Sequence, residues 1–271
     1  MVKQQTFSDK YGPWALVTGA ARGLGAEFSR QIAAKGINVV MVDLLADELA
    51  RTAEDIRKAS GREIVTLTVD LSQPDFIEKI KQRTDGLEIG LLVSNAVYGP
   101  VGKFVERGLD EKLRSIAVNV RAPLVLVHEF ATRMAARGRG GIIMVSSASA
   151  MQGTPYVANY AATKAYNLIL AESLWVELRE KGVDVLGFMP GTTRTPGYME
   201  SKPQMERAKI VKVMEPAPTV AEALNALGRR PSHIAGRGNR LTFFISGKLM
   251  PRKLAIALAA RMLDKMYGNK G

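Results

Sequence analysis

Short runs of Val, Ile and Leu alternate with longer stretches of helical periodicity along this chain, and that alternation limits the fold more than any other feature. The apolar runs fall at residues 15–18, 38–42, 64–69, 89–94, 141–147 and 183–189. Between them, residues 24–35, 46–59, 74–83, 109–137 and 157–181 carry apolar side chains three and four apart, the spacing of one helix face. Strands separated by helix-sized crossovers pair in parallel. Strands with no polar face must be covered on both sides. The expectation is an α/β fold with a doubly wound parallel sheet and helices on both faces.

A chain of 271 residues could hold two small domains or one large one. The unbroken rhythm favours one domain over residues 1–271. After Pro190-Gly191 the rhythm stops. Residues 192–218 contain three prolines before Pro218 and several methionines but no convincing strand, so they read as a substrate loop, since long loops inside compact domains carry function or disorder. Beyond it, 220–227 reads as a short helix, 237–240 as a turn and 241–246 as a last strand.

The glycines at 19, 23 and 25 lie between the first strand and the first helix. There they allow a tight turn and a close backbone approach, while the helix start offers free N–H groups and a positive dipole end. That is a cradle for a pyrophosphate, with Gly19, Arg22, Gly23, Leu24 and Gly25 as its candidate walls. Asp43 ends the second strand, eighteen residues beyond Gly25, where an acid accepts hydrogen bonds from adenosine ribose hydroxyls and repels a 2′-phosphate. Arg22 pulls the other way, because it could pair with that phosphate. The bland alternatives are a loop or capping acid at Asp43, and a capping acid ahead of Pro74 at Asp70.

Tyr160 and Lys164 are four residues apart, which on a helix puts phenol and ammonium on one face. A phenol titrates near 10, and a neighbouring cation favours the phenolate. The pair is therefore expected to form an acidified tyrosine able to trade protons with an alcohol or carbonyl. Ser147 precedes Tyr160 by thirteen residues. Each residue alone reads as ordinary: a half-buried aromatic, a solvated charge, a strand-end hydroxyl.

Taken in order, Thr18-Gly19-x-x-x-Gly23-x-Gly25, Asn95-Ala96, Asn119, Ser147, Tyr160-x-x-x-Lys164 and Pro190-Gly191 resemble the short-chain dehydrogenase/reductase family over about residues 14–195. The resemblance implies a Rossmann-like sheet of about seven strands, a nicotinamide cofactor and no metal. It implies Tyr160 as general acid and base, Lys164 lowering its pKa and holding the nicotinamide ribose, Ser147 donating to the reacting oxygen, and Asn119 anchoring a water relay. It extends the cofactor set to Asp70, Leu71, Asn95, Ala96, Pro190, Gly191, Thr193 and Thr195. Two positions depart from the family pattern: Ser94 stands where a second Asn is usual, and Val97 where Gly is usual. The implied activity is alcohol–ketone or alcohol–aldehyde interconversion, with NAD favoured over NADP on the strength of Asp43. An NADPH-dependent carbonyl reductase on the same residues, or a dinucleotide-binding protein without turnover, are the alternatives.

Val97, Met151, Tyr156, Tyr198 and Met199, with Met205 and Met214, are candidates for an adaptable apolar substrate pocket, which points to a steroid, acyl or aromatic substrate. His128 and His233 lie far apart with no matching carboxylate pattern, so neither reads as a metal ligand. The absence of cysteine removes disulfides and thiolate sites and fits a reducing compartment, so the cytoplasm is expected. The N-terminal residues lack the apolar core of a signal peptide, and no apolar run is long enough to span a bilayer.

Of the net charge of +12, nine units fall after residue 228, where ten Lys or Arg face the single acid Asp264. Leu254, Leu258, Met262 and Met266 follow helical spacing there. This basic amphipathic extension, near 248–271, is expected to pack on the domain or a partner subunit, with contact to an anionic membrane as the alternative. It lacks the interleaved aromatics of a nucleic-acid surface. The family habit of pairing two long helices between subunits implies a homodimer or homotetramer.

Overall fold

The computed structural model describes residues 5–201 and 213–268. Seven strands form one parallel sheet: β1 (Trp14–Thr18), β2 (Asn38–Asp43), β3 (Ile64–Thr68), β4 (Ile89–Ser94), β5 (Gly140–Val145), β6 (Val183–Met189) and β7 (Ser232–Ile234). Their order is β3-β2-β1-β4-β5-β6-β7. The chain winds outward from β1 in one direction and then returns to start the other half at β4. A crevice opens at the carboxyl ends of the strands where the winding reverses.

The two-residue period of a strand sorts its side chains into two cores. Val17, Val39, Met41 and Phe188 meet Phe28 and Ile32 of the helix Gly23–Ala34 on one face. On the other face, Leu16, Val40, Leu92 and Met144 meet Phe130 and Met134 of the helix Ala122–Arg137. Every residue of β1, β4 and β5 is buried, which is why these segments show no polar alternation in the sequence.

In chain order the helices are α1 (Phe7–Tyr11), α2 (Gly23–Ala34), α3 (Ala46–Ser60), α4 (Phe76–Thr84), α5 (Leu109–Ile116), α6 (Ala122–Arg137), α7 (Ala158–Glu177), α8 (Pro196–Glu200), α9 (Pro216–Ala226), α10 (Arg237–Phe244) and α11 (Arg252–Tyr267). The helix expected over 109–137 is a single rod with one wide π turn, Ala117–Arg121, between α5 and α6. Such turns displace one residue from the regular ladder and are frequent at functional sites. Asn119 occupies it.

Three expectations fail between residues 232 and 246. The last strand is Ser232–Ile234, not 241–246. Residues 237–246 are helical instead, running through α10 into a π turn at Ile245–Leu249. The apolar run Leu241–Ile245 imitates a buried strand, yet Leu241, Phe244 and Ile245 are exposed, so burial never enforces an extended conformation there. His233, expected in a loop, lies in β7 with its ring stacked on Phe188 and bonded to Glu222 at 2.9 Å. The substrate loop contains α8, capped by the Thr195 hydroxyl on Tyr198 N at 3.3 Å. Met205 lies outside the described residues.

The C-terminal stretch packs on the domain, and of the face its spacing indicates only the second half, Met262 and Met266, turns inward. Ala255, Leu263, Met266 and Tyr267 of α11 are buried, with Val101, Tyr156 and Tyr198 against the last three, whereas Leu254 and Leu258 face outward. No described helix is long and apolar enough to cross a membrane.

Candidate active site

At the crevice, the first turn is built from backbone that has no room for side chains. Gly19 adopts φ +66°, and a Cβ there would sit 2.8 Å from Ala96 Cα. One on Gly25 would sit 1.9 Å from Gly19 O, far inside contact distance. Asn95 secures the turn by donating from its amide to Thr18 O at 3.0 Å and Gly19 O at 3.1 Å. Thr18 Oγ1 accepts from Asn95 N at 3.0 Å and Ala96 N at 3.1 Å. The start of α2 has no side-chain cap, so its first N–H groups are free for an anion.

Together these elements border a cleft of about 340 Å³ whose walls include Gly19, Arg22, Gly23, Leu24, Asp43, Asp70, Leu71, Asn95, Ala96, Val97 and Thr195. The glycine cradle, the uncapped helix start and the apolar walls supplied by Val42, Leu44 and Val69 fit a dinucleotide. Gly25, Pro190, Gly191 and Thr193 are not walls of this cleft. Gly25 packs α2 onto the turn. Gly191 (φ +69°) leaves space for the Asn239 amide, and Thr193 is buried in a bridge to Met214.

Asp43 does not present a free carboxylate. Its Oδ2 accepts from Ala21 N at 2.9 Å and its Oδ1 from Leu44 N at 2.7 Å and Leu45 N at 3.1 Å, so three of about four acceptor positions are taken by backbone. Arg22 is held by Glu200 through both terminal guanidinium nitrogens, Nη1 and Nη2, at 2.5 and 2.8 Å. Asp70 accepts from Ser72 N at 2.8 Å and Ser72 Oγ at 2.7 Å and lies 3.6 Å from Arg114. Burial pushes its carboxyl up, but those hydrogen bonds outweigh it and the group ends below its usual range.

The residues singled out for chemistry come together at the amino end of α7. Ser147 follows β5, where its Oγ accepts from Ser149 N at 3.2 Å, and its hydroxyl acts on the Tyr160 phenol to favour the charged form. Lys164 is buried, with Nζ donating to Val145 O at 2.8 Å and lying 5.9 Å from the centre of the Tyr160 ring. The expected acidified phenol is not what this geometry gives. Burial raises the Tyr160 pKa above its ordinary value, with the Ser147 hydroxyl opposing it. Burial lowers Lys164 to about 8. The ammonium is turned toward the β5 carbonyl and stands 5.9 Å from the ring centre, where its pull on the phenol does not offset the burial.

Asn119 is fully buried and brackets Tyr98, accepting from Tyr98 N at 2.9 Å and donating to Tyr98 O at 2.9 Å. Its amide also reaches Thr163 Oγ1 at 3.1 Å, and its carbonyl accepts from Asn167 Nδ2 at 2.9 Å. The side chain expected to anchor a water relay thus fixes the loop after β4 against α7. Gly99 on that loop escaped sequence reading. A Cβ there would meet the Tyr160 ring at 2.8 Å, and its only sequence signal is a glycine beside Pro100, which reads as loop punctuation.

Of the substrate candidates, Val97 borders the cleft and is half exposed. Tyr156, in the left-handed conformation at φ 63°, donates its hydroxyl to Asp264 of α11 at 2.6 Å. Tyr198 packs beside Tyr267, and burial, then the charge of Tyr267, raise its hydroxyl to about 12. Met199 is exposed and Met151 half-buried near Gly247, while Met214 packs against Gly236 and Asn239. Among the described residues, no group of three or more His, Asp or Glu could hold a metal ion.

The family profile described as short chain dehydrogenase matches residues 13–206. A 7beta-hydroxysteroid dehydrogenase of Clostridium sardiniense is 30% identical over 260 residues, 96% of this chain and 99% of that protein. A solved structure of a 7beta-hydroxysteroid dehydrogenase superposes with a TM-score of 0.88 at 32% identity, covering 94% of this chain and 99% of that one. A short-chain dehydrogenase from Sphingobium yanoikuyae, solved with NADPH, gives a TM-score of 0.75 at 29% identity over 82% and 87% of the two chains. With the profile spanning most of the sheet and a relative aligned nearly end to end, this chain belongs to the short-chain dehydrogenase family and is an oxidoreductase that interconverts alcohol and carbonyl groups with a nicotinamide dinucleotide.

Proposed function

We propose that the protein oxidises a secondary hydroxyl on a bulky apolar, steroid-type alcohol and reduces the matching ketone, with NAD as the preferred dinucleotide. One observation carries the substrate class: the likeness to the hydroxysteroid dehydrogenases runs through nearly the whole of both chains. It therefore includes the segment whose α11 packs Leu263 and Tyr267 onto Tyr156 and Tyr198. An apolar wall of that kind suits a large rigid hydrocarbon better than a small polar alcohol. The test is a panel of hydroxysteroids and small secondary alcohols followed at the reduced-nicotinamide absorbance. The expected result is a kcat/KM for at least one hydroxysteroid that is about a hundredfold above that for a two- or three-carbon alcohol. Equal rates, or turnover of small alcohols alone, refute the substrate class.

A nicotinamide dinucleotide supplies the hydride acceptor for oxidation and the donor for reduction. The remaining roles belong to this chain. Tyr160 holds the proton that leaves or returns to the substrate oxygen. Ser147, beside Tyr160, donates to that same oxygen as charge develops on it. Lys164 provides a cation behind the phenol, and Asn119 fixes the Tyr98 loop that flanks the ring. Gly19, Gly23 and the start of α2 take the pyrophosphate, with Asn95 holding their turn. Leu71, Ala96 and Thr195 line the path to the chemistry.

The preference for NAD is supported by the charges around the ribose end. Arg22 is faced by Glu200, by Glu48 at 4.0 Å and by the nearby charge of Asp43, an acid-rich corner that disfavours a 2′-phosphate dianion.

One domain over residues 1–271, acting in the cytoplasm as a homodimer or homotetramer, completes the reading. Leu113 on α5, Leu124 on α6 and Ile169 and Val176 on α7 are exposed, apolar surface of the sort that subunit contacts bury. A variant carrying Ile169→Lys and Val176→Lys is expected to elute as a monomer in size-exclusion chromatography with light scattering, where the unaltered protein elutes as a dimer or tetramer. A monomeric unaltered protein contradicts the assembly.

A further inference from the structure

Arg22 stands at the junction of the phosphate turn and α2, on the wall of the dinucleotide cleft that also holds Asp43. A cation in that place is the natural partner for an anionic group on the adenosine ribose. In this protein its partner comes from 178 residues away. Glu200 ends α8, the short helix of the substrate loop, and grips the guanidinium with both carboxylate oxygens at 2.5 and 2.8 Å. The same segment supplies Thr195, Pro196 and Gly197 to the facing wall of the cleft. A Cβ on Gly23 would meet Thr195 Cβ at 3.3 Å, so turn and loop are already in close apposition. The other arginine of the cleft, Arg114, is committed to Asp70.

We propose that Glu200 is a cofactor-selectivity residue: by pairing with both terminal nitrogens of Arg22 and neutralising its charge, it withholds from a 2′-phosphate the cation that would otherwise bind it. This deepens the dinucleotide reading above and rests on it. Selectivity of this kind works by exclusion. The site does not improve its contacts to the unphosphorylated ribose but makes the phosphorylated one displace an existing fork-to-fork pair and approach a carboxylate. It also places the selecting group on α8, whose segment borders the cleft, so that the identity of the dinucleotide and the position of α8 are read by one ion pair. A 2′-phosphate can enter only if Glu200 lets go, and α8 then loses its tie to the phosphate turn.

The test is direct binding, without turnover: fluorescence titration of NADH and NADPH into the purified full-length protein and into Glu200→Gln, which keeps the side chain's size and removes its charge. The unaltered protein is expected to bind NADH more tightly than NADPH. In Glu200→Gln the affinity for NADPH is expected to rise about tenfold or more, while that for NADH moves by less than about threefold, because one charge-assisted pair is exchanged for another only when the 2′-phosphate is present. Adding Arg22→Ala to Glu200→Gln is expected to abolish the gain. Glu48→Gln, at 4.0 Å from Arg22, gives a second route with a smaller gain in the same direction, should Glu200→Gln melt at a lower temperature than the unaltered protein. Tighter NADPH than NADH binding by the unaltered protein overturns the proposal. So do equal shifts for both dinucleotides in Glu200→Gln, which would mark α8 as a lid indifferent to the phosphate, and so does no shift for either. If the unaltered protein binds neither dinucleotide, the oxidoreductase reading fails, and this proposal with it.

Discussion

Tyr160→Phe is expected to lower kcat/KM in both reaction directions by about 10²- to 10⁴-fold, the ordinary worth of a general acid or base, while NADH affinity stays within about threefold. The substitution removes one oxygen and leaves the ring, whose fit against Gly99 is unchanged, so the fold should hold and thermal melting should confirm it. The direction of the Tyr160 pKa adds a second readout. Burial favours the neutral phenol, which is the form that donates a proton during carbonyl reduction. Alcohol oxidation needs the phenolate, which is scarce at neutral pH and grows as pH rises. Oxidation should therefore accelerate with pH through the alkaline range while reduction stays level until the phenol titrates, and Tyr160→Phe should flatten the oxidation profile. A variant that keeps both its rate and its slope removes Tyr160 from the chemistry.

Lys164→Met is expected to cost activity and add stability. Lys164 is 1% exposed, and burial brings its pKa from 10.5 to about 8. Because the folded state holds the proton less tightly than the unfolded chain, the cost of the buried charge is fully present below about pH 8. It fades as pH rises toward 10.5. Two to three pKa units correspond to about 3 kcal/mol at neutral pH. Methionine removes that cost and fills similar volume, at the loss of the charge-assisted Nζ to Val145 O hydrogen bond, worth about 2 kcal/mol. The net gain of about 1 kcal/mol should raise Tm by about 2 to 4 °C at pH 7, an advantage that shrinks above about pH 8. Activity should fall by about a hundredfold, since no cation then stands behind the phenol. Such opposition between stability and activity is expected where a catalytic group is held in a place costly to the fold. A melting temperature that drops at pH 7 would mean that Lys164 is there for structure.

Features written in local spacing were legible before any coordinates. Strands β1, β2, β4, β5 and β6 follow from runs buried on both faces, the edge strand β3 from its β-branched composition alone, and the phosphate turn from glycines between strand and helix. Tyr160 and Lys164 do share one face of α7, as their separation requires. What escaped depends on partners distant in the chain. β7 is three residues long, and its extended form is set by pairing with Gly187, Phe188 and Met189, so nothing in Ser232–Ile234 announces it. The run at 241–245 has a strand's composition without a strand's burial. Nothing in the spacing reveals that Arg22 answers to Glu200, that Asp43 is spent on backbone amides, or that Tyr156 is tied to Asp264. The Lys164 pKa misled for the same reason: four-residue spacing tells which face a charge occupies, whereas the Val145 carbonyl decides where its ammonium points.

Deuterium placed on the carbinol carbon of a hydroxysteroid substrate gives the most direct test of the whole account. Incubated with NAD and the unaltered protein, the label should appear on the reduced nicotinamide, and Tyr160→Phe should transfer about a hundredfold or more slowly under the same conditions. Label released to water, or transferred by Tyr160→Phe at the unaltered rate, would contradict a reaction in which the carbinol hydrogen passes directly to the dinucleotide while Tyr160 takes the proton.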